Sequence, residues 1–207
     1  MAYLGTQPNN VKENLGLYSP KEILALQKSG HWGGSLKLIE SQSVSGVTSV
    51  NFTNLEETLY DTHILQFNNI SVASGADNYS IRLSNDGGSS YESGSVYSFT
   101  MQYASSVAGF NEYRSTNTTM WQPILLGGSV TNASANGYVY LYNLGVSTAY
   151  SYHSTVGTTF SNTSHHGQGM FFGGGVYKAS EKIDAFQIFG DSGGSFTSKI
   201  SLYGLKK

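Results

Sequence analysis

Hydrolysis of a glycosidic bond needs two carboxyl groups, one acting as acid and the other as base or nucleophile. The chain offers Glu56-Glu57, Asp61, Asp77, Asp86, Glu92, Glu112, Glu181, Asp184 and Asp191. Asp86 and Asp191 lie in glycine-rich stretches, where a carboxylate that accepts turn amides already has a backbone role, and Glu56-Glu57 reads as a solvated loop. No spacing along the chain pairs two of the others. His165-His166 is the concentrated pair of ligand-type residues. Adjacent side chains of an extended segment point to opposite sides, and no carboxylate is near in sequence, so the pair reads as an exposed polar loop rather than a metal grip. His63 and His153 are isolated, and His31 beside Trp32 reads as an anchor between a helix and a β-domain. Neither a metal nor a cofactor is expected.

Gly190-Asp191-Ser192-Gly193-Gly194 resembles the nucleophile loop of trypsin-like serine proteases. The remainder of the chain departs from that family. His63 lacks the small-residue neighbours of the catalytic histidine, and too few residues follow Ser192 to complete a second barrel. A glycine-rich turn between strands explains the loop equally well. Gly173-Gly174-Gly175 is followed by neither Lys-Ser/Thr nor a helix, which excludes a phosphate loop, and Asn85-Asp86-Gly87 is too short for a calcium loop. No catalytic residue is assigned, and the expectation is a non-enzymatic protein. The better candidates for recognition are Tyr138, Tyr140, Tyr142, Tyr150 and Tyr152, gathered in one hairpin-sized region. Tyrosines on a sheet or loop can stack on sugar rings and offer a hydroxyl, or can be buried between copies of the same chain. The second role is the favoured reading.

The elements that must carry these residues follow from periodicity. From Leu36 onward the period is two: Tyr97, Phe99, Met101 and Tyr103 alternate with Ser98, Thr100 and Gln102, and Tyr138, Tyr140 and Tyr142 oppose Val139 and Leu141. Turn signals recur at Asn85-Asp86-Gly87-Gly88, Gly127-Gly128, Asn136-Gly137, Gly173-Gly174-Gly175 and Asp191-Ser192-Gly193-Gly194. Eight or so strands at this spacing predict an all-β protein, a single antiparallel β-sandwich of jelly-roll type over residues 35–207. The polar stretches Ser105–Thr119 and Gly157–Gly169 read as long surface loops. Residues 1–34 read as an attachment segment with one short helix, Pro20 to Lys28, opened by a capping box of Ser19 and Glu22. Leu17, Tyr18, Leu24 and Trp32 are its expected contacts.

Charged residues are 12% of the chain, about half of the ordinary fraction, and the formal net charge is -2. Eleven scattered Lys and Arg residues do not make a phosphate-binding surface, so no nucleic acid partner is expected. Nowhere do about eighteen apolar residues follow one another, and no basic region with an apolar run opens the chain, so synthesis in the cytoplasm without membrane insertion is expected. Cys is 0, and the fold cannot rely on disulfides.

Two stretches carry a resemblance. Gly16-Leu17-Tyr18-Ser19-Pro20-Lys21-Glu22, continued through Ile23 to Gly30-His31-Trp32, resembles a segment near the start of many phage virion proteins, especially marine and cyanobacterial ones. Arg82-Leu83-Ser84-Asn85-Asp86-Gly87-Gly88-Ser89-Ser90-Tyr91-Glu92-Ser93-Gly94, together with the ending Ile200-Ser201-Leu202-Tyr203-Gly204-Leu205, is similar to a class of phage and prophage structural proteins. The resemblance implies a virion component, in a tail fibre, tail tip or head surface. Its expected partners are other virion proteins, a host surface glycan, and copies of itself, with a trimer favoured over a dimer. It transfers no functional residues, and a fibre shaft is missing from the sequence. The alternatives carried forward are a carbohydrate-binding module and a glycan hydrolase.

Overall fold

The structure is a computed structural model that describes residues 19–22, 24, 36–72, 78–107, 109–124, 133–160 and 168–206. The chain divides into two units, Met1–Ser35 and Leu36–Lys207. In the first, Pro20, Lys21, Glu22 and Leu24 are helical. The Ser19 amide donates to Glu22 Oε2 at 2.7 Å and the Glu22 amide donates to Ser19 Oγ at 3.3 Å, which is the reciprocal capping expected from the sequence. Leu24 is half exposed on this turn. Leu17, Tyr18 and Trp32, and the expected continuation of the helix to Lys28, lie outside the described residues.

The second unit is all β. Its strands among the described residues are β1 (Leu36–Val47), β2 (Ser49–Phe52), β3 (Tyr60–Val72), β4 (Tyr79–Ser84), β5 (Tyr97–Ser105), β6 (Gly109–Thr118), β7 (Trp121–Ile124), β8 (Ser134–Tyr142), β9 (Ser151–Phe160), β10 (Gln168–Tyr177), β11 (Ala185–Gly190) and β12 (Phe196–Lys206). They form an eight-stranded sheet, β1-β12-β3-β8-β9-β10-β5-β6, and a four-stranded sheet, β2-β11-β4-β7, with every pairing antiparallel.

Without the hairpins β5–β6 and β9–β10, eight strands remain. In chain order the first, last, third and sixth lie side by side in one sheet, and the second, seventh, fourth and fifth in the other. That is the two-Greek-key order of a jelly roll. The two hairpins are inserted after β4 and after β8, and they zip together through β10 and β5 to extend the larger sheet beyond β8.

Alternation explains which side chains close the core. Leu65 and Phe67 of β3, Ile81 and Leu83 of β4, Val139 and Leu141 of β8, and Ile200 and Leu202 of β12 are all fully buried between the sheets. Rings fill the wider gaps: Phe52 stacks on Phe186 with centroids 5.0 Å apart, and Tyr79 meets Phe196 edge-on at 4.8 Å. Gly204 in β12 leaves room for Tyr60, because a Cβ there would lie 2.3 Å from a ring carbon. Gly204→Val is therefore expected to cost roughly 2 to 3 kcal/mol through overpacking, read as a lowered thermal midpoint.

Two expected turns and two expected loops are strand instead, in whole or in part. Gly173-Gly174-Gly175 is not a turn but the middle of β10, and Asn136-Gly137 lies inside β8. Glycine is required here by close packing between neighbouring strands of the larger sheet: a Cβ on Gly173 would stand 2.7 Å from the Met101 side chain on β5, and one on Gly175 would stand 2.6 Å from His153 Nε2 on β9. The stretch Ser105–Thr119 is not a loop but the β5–β6 hairpin, whose strand β6 pairs with β5 from Gly109 opposite Ser105 to Thr118 opposite Tyr97. Its Ser, Asn and Thr content is that of an edge strand wetted on both faces, so no apolar alternation announces it. Of the expected loop Gly157–Gly169, Gly157 to Phe160 complete β9 and Gln168 and Gly169 open β10, while 161–167, with His165 and His166, lie outside the described residues.

Candidate functional site

The turn carboxylates hold backbone. Asp86 Oδ1 accepts the Ser90 amide at 2.9 Å and the Ser84 hydroxyl at 2.8 Å, while its Oδ2 accepts the Ser90 hydroxyl at 2.6 Å. These bonds, that of the Ser90 hydroxyl foremost, pull its pKa down to about 2. Gly87 and Gly88 follow with φ of 72° and 85°, the left-handed region that glycine tolerates. Asp191 accepts from Gln122 Nε2 at 2.5 Å and from the Asn78 amide at 3.3 Å, tying the turn beside Ser192 to neighbouring segments. Glu56 and Glu57 are not freely solvated. They pair with Lys37 at 3.2 Å and Lys182 at 2.6 Å, with their side chains mostly covered.

Glu92 and Glu181 line one shallow hollow with Ser90 and Tyr91. Each is already engaged, Glu92 by the Gly94 amide and Glu181 by Asn85 Nδ2 at 2.7 Å and by the Tyr177 hydroxyl. Among the described residues no group of three or more His, Asp or Glu side chains is placed to hold a metal ion. His63 is buried against the Leu55 carbonyl at 2.7 Å, and burial lowers its pKa. His153 is buried on the inward face of β9 against Trp121, ring centroids 4.7 Å apart, and neither ring nitrogen has a hydrogen-bond partner. Burial alone pushes its pKa down to about 3.

The tyrosines behave differently. Because Val139 and Leu141 turn into the core, the same strand must turn Tyr138, Tyr140 and Tyr142 outward. Cross-strand register then sets a row of neighbours: Tyr142 lies opposite Tyr152, Tyr140 opposite Ser154, and Tyr138 opposite Val156. β10 continues the rows with Val176, Gly174 and Phe172. On the other side Ile64 of β3 adjoins Tyr140, and Tyr203 of β12 adjoins Ile64. Tyr150 is exposed in the loop before β9, where its carbonyl accepts from Asn143 Nδ2, and it is not part of the ladder.

Ile64, Val156, Met170, Phe172 and Tyr203 join the tyrosines on one face, and sequence reading did not connect them to it. The missing signal was the pairing register: Met170-x-Phe172-x-Gly174-x-Val176 has period two, but the glycine run hides it.

Two features set the chemistry of this face. Apart from Asp61, exposed at the bulge that opens β3, the outward positions of β3, β8, β9, β10 and β5 carry no charged side chain among the described residues, and charge returns at Lys199 on β12 and at the Glu112–Arg114 pair on β6. The rings of Tyr140 and Tyr142 lie nearly parallel, 8° apart with centroids at 6.0 Å, and Tyr138 meets Tyr140 edge-on at 5.5 Å. The Tyr142 hydroxyl is 3.0 Å from Ser154 Oγ. The rings of Tyr140 and Tyr142 thus each turn one face to the other, which leaves less of that pair for a sugar ring to stack on. Val156, Phe172, Tyr138 and Tyr152 nonetheless remain 39%, 39%, 41% and 43% exposed.

No family model, curated protein or solved structure matches this chain. The fold and the character of the face therefore rest on its own residues.

Proposed function

We propose that this chain is a non-enzymatic structural component of a bacteriophage virion, exposed on the particle surface in a tail fibre, tail tip or capsid decoration, and able to meet host surface glycans. The observation that carries the reading is the outward face of the eight-stranded sheet, which joins aromatic and aliphatic side chains of several strands into one uncharged patch of a kind that monomers seldom leave open. A jelly roll suits the role, since such sandwiches tile capsids and also present lectin sites. The attachment segment, residues 1–34, would join the particle, and the sandwich would supply the contacts between copies. The carbohydrate-binding reading draws on Tyr150 and Tyr152, both exposed, rather than on the stacked pair Tyr140 and Tyr142.

Antibody labelling of purified virions by negative-stain microscopy tests the proposal: regular labelling at one site is expected, and unlabelled particles would refute it. A chain lacking residues 1–34 is expected to keep its cooperative melt, since the core members all lie between Val50 and Leu202, while its incorporation into particles falls by at least tenfold. A shortened chain that incorporates normally would remove the attachment role from that segment.

A further inference from the structure

We infer that the outward face of the eight-stranded sheet docks on the same face of a second copy of this chain, in a two-fold pair. This goes beyond the virion reading by naming the partner and the mode of contact, and it stands or falls independently of the particle. At the spacing and rise of antiparallel strands, the uncharged patch from β3 to β5 and the apolar outer flank of β12 and β1 cover about 600 to 700 Å², close to the roughly 800 Å² per partner of a stable interface.

Chemistry narrows the occupant. A charged partner would lose hydration on this patch and find no counter-charge, whereas a second copy brings an equally uncharged surface, with Glu112 and Arg114 left at its rim.

Gly174 and Thr100 form the open part of one cross-strand row of small groups, closed at Ser154 by the Tyr142 hydroxyl, beside a row of larger ones, Val156 and Phe172. The furrow and the ridge lie side by side on one surface. A two-fold axis between them seats each copy's ridge in the other's furrow, and both aromatic layers pack at sheet-on-sheet distance. This pairing is two-fold, in place of the threefold order expected from the sequence.

Light scattering on size-exclusion peaks of the full chain, at 1 to 100 µM in order of magnitude, tests the pairing. The expected result is the mass of two 22.3 kDa chains. Val156→Glu and, as a variant at an already exposed polar position, Thr158→Arg should each weaken association at least a hundredfold while the far-ultraviolet spectrum and melt stay near wild type. Asn51→Lys, on the smaller sheet, should leave the mass unchanged. A wild-type monomer across that range, a three-chain mass, or a dimer untouched by a folded Thr158→Arg chain would each overturn the inference. Loss of virion labelling with the dimer intact would instead count against the particle reading alone.

Discussion

Removal of residues 199–207 is expected to abolish cooperative folding of the sandwich. β12 is interior to the large sheet, bonded to β1 on one side and β3 on the other, so its loss strips the ladder from both neighbours at once. Ile200 and Leu202 are fully buried, and Ser198, which precedes the cut, donates to the Asn68 carbonyl at 3.1 Å. Deleting two buried aliphatic side chains alone costs on the order of 4 to 10 kcal/mol, against a typical domain stability of about 5 to 15 kcal/mol. The lost backbone pairing adds to that. The shortened chain should give a broad, non-cooperative melt and degrade under proteases that spare the full chain. Retention of a sharp melt would mean that the core closes without its last strand. Leu202→Ala offers a graded version: a drop of about 3 kcal/mol with cooperativity intact.

The second large effect is on acid stability, through His153. Its ring is fully enclosed, packed on Trp121 with Gly175 facing it, and desolvation is the whole cause of its lowered pKa, with no charged neighbour contributing. In the unfolded chain this histidine titrates near 6.5, and in the folded chain near 3. Above pH 6.5 both states leave the ring neutral and stability is full. As pH falls from 6.5 toward 3 the unfolded state takes up a proton that the folded state refuses, and stability is lost at up to about 1.4 kcal/mol per pH unit, about 5 kcal/mol in all.

His63, also lowered by burial, acts in the same direction. Asp86, held down to about 2, and Glu57, also lowered, begin to lose their contributions as pH falls below about 5 and the unfolded chain protonates its carboxylates, so about pH 5 to 6.5 isolates the histidines. Denaturant midpoints for wild type and His153→Phe across that range should show a steep acid decline in the first and a flatter one in the second. Parallel slopes would place the acid sensitivity elsewhere. At pH 7 the variant should be no less stable by more than about 1 kcal/mol, because the ring it removes leaves two buried nitrogens without partners.

Much was readable from residue order because strand alternation is local. The runs Tyr97-Phe99-Met101 and Val139-Leu141 each set one side of their strand apolar against the other whatever surrounds them, and the capping pair Ser19 and Glu22 and the Asp86 turn act within four residues of each other. Together with the low charge, these determined an all-β sandwich and the presence of a tyrosine face. Local pattern could not say that Gly173 to Gly175 form a strand, since a glycine run reads as a turn until Met101 and His153 are seen occupying the space of the missing side chains. Nor could it announce β6, a polar edge strand formed because β5 offers an open ladder.

The composition of the outward face was likewise decided by tertiary pairing. Tyr138, Val156 and Phe172 are neighbours through register across three strands, and Tyr203, at the far end of the chain, reaches the same surface through β12 and β3. Sequence determined which side of each strand is apolar. The order of strands in the sheet decided which of those sides add up to a single face, because hydrogen-bonded register, unlike alternation, joins residues that are distant along the chain.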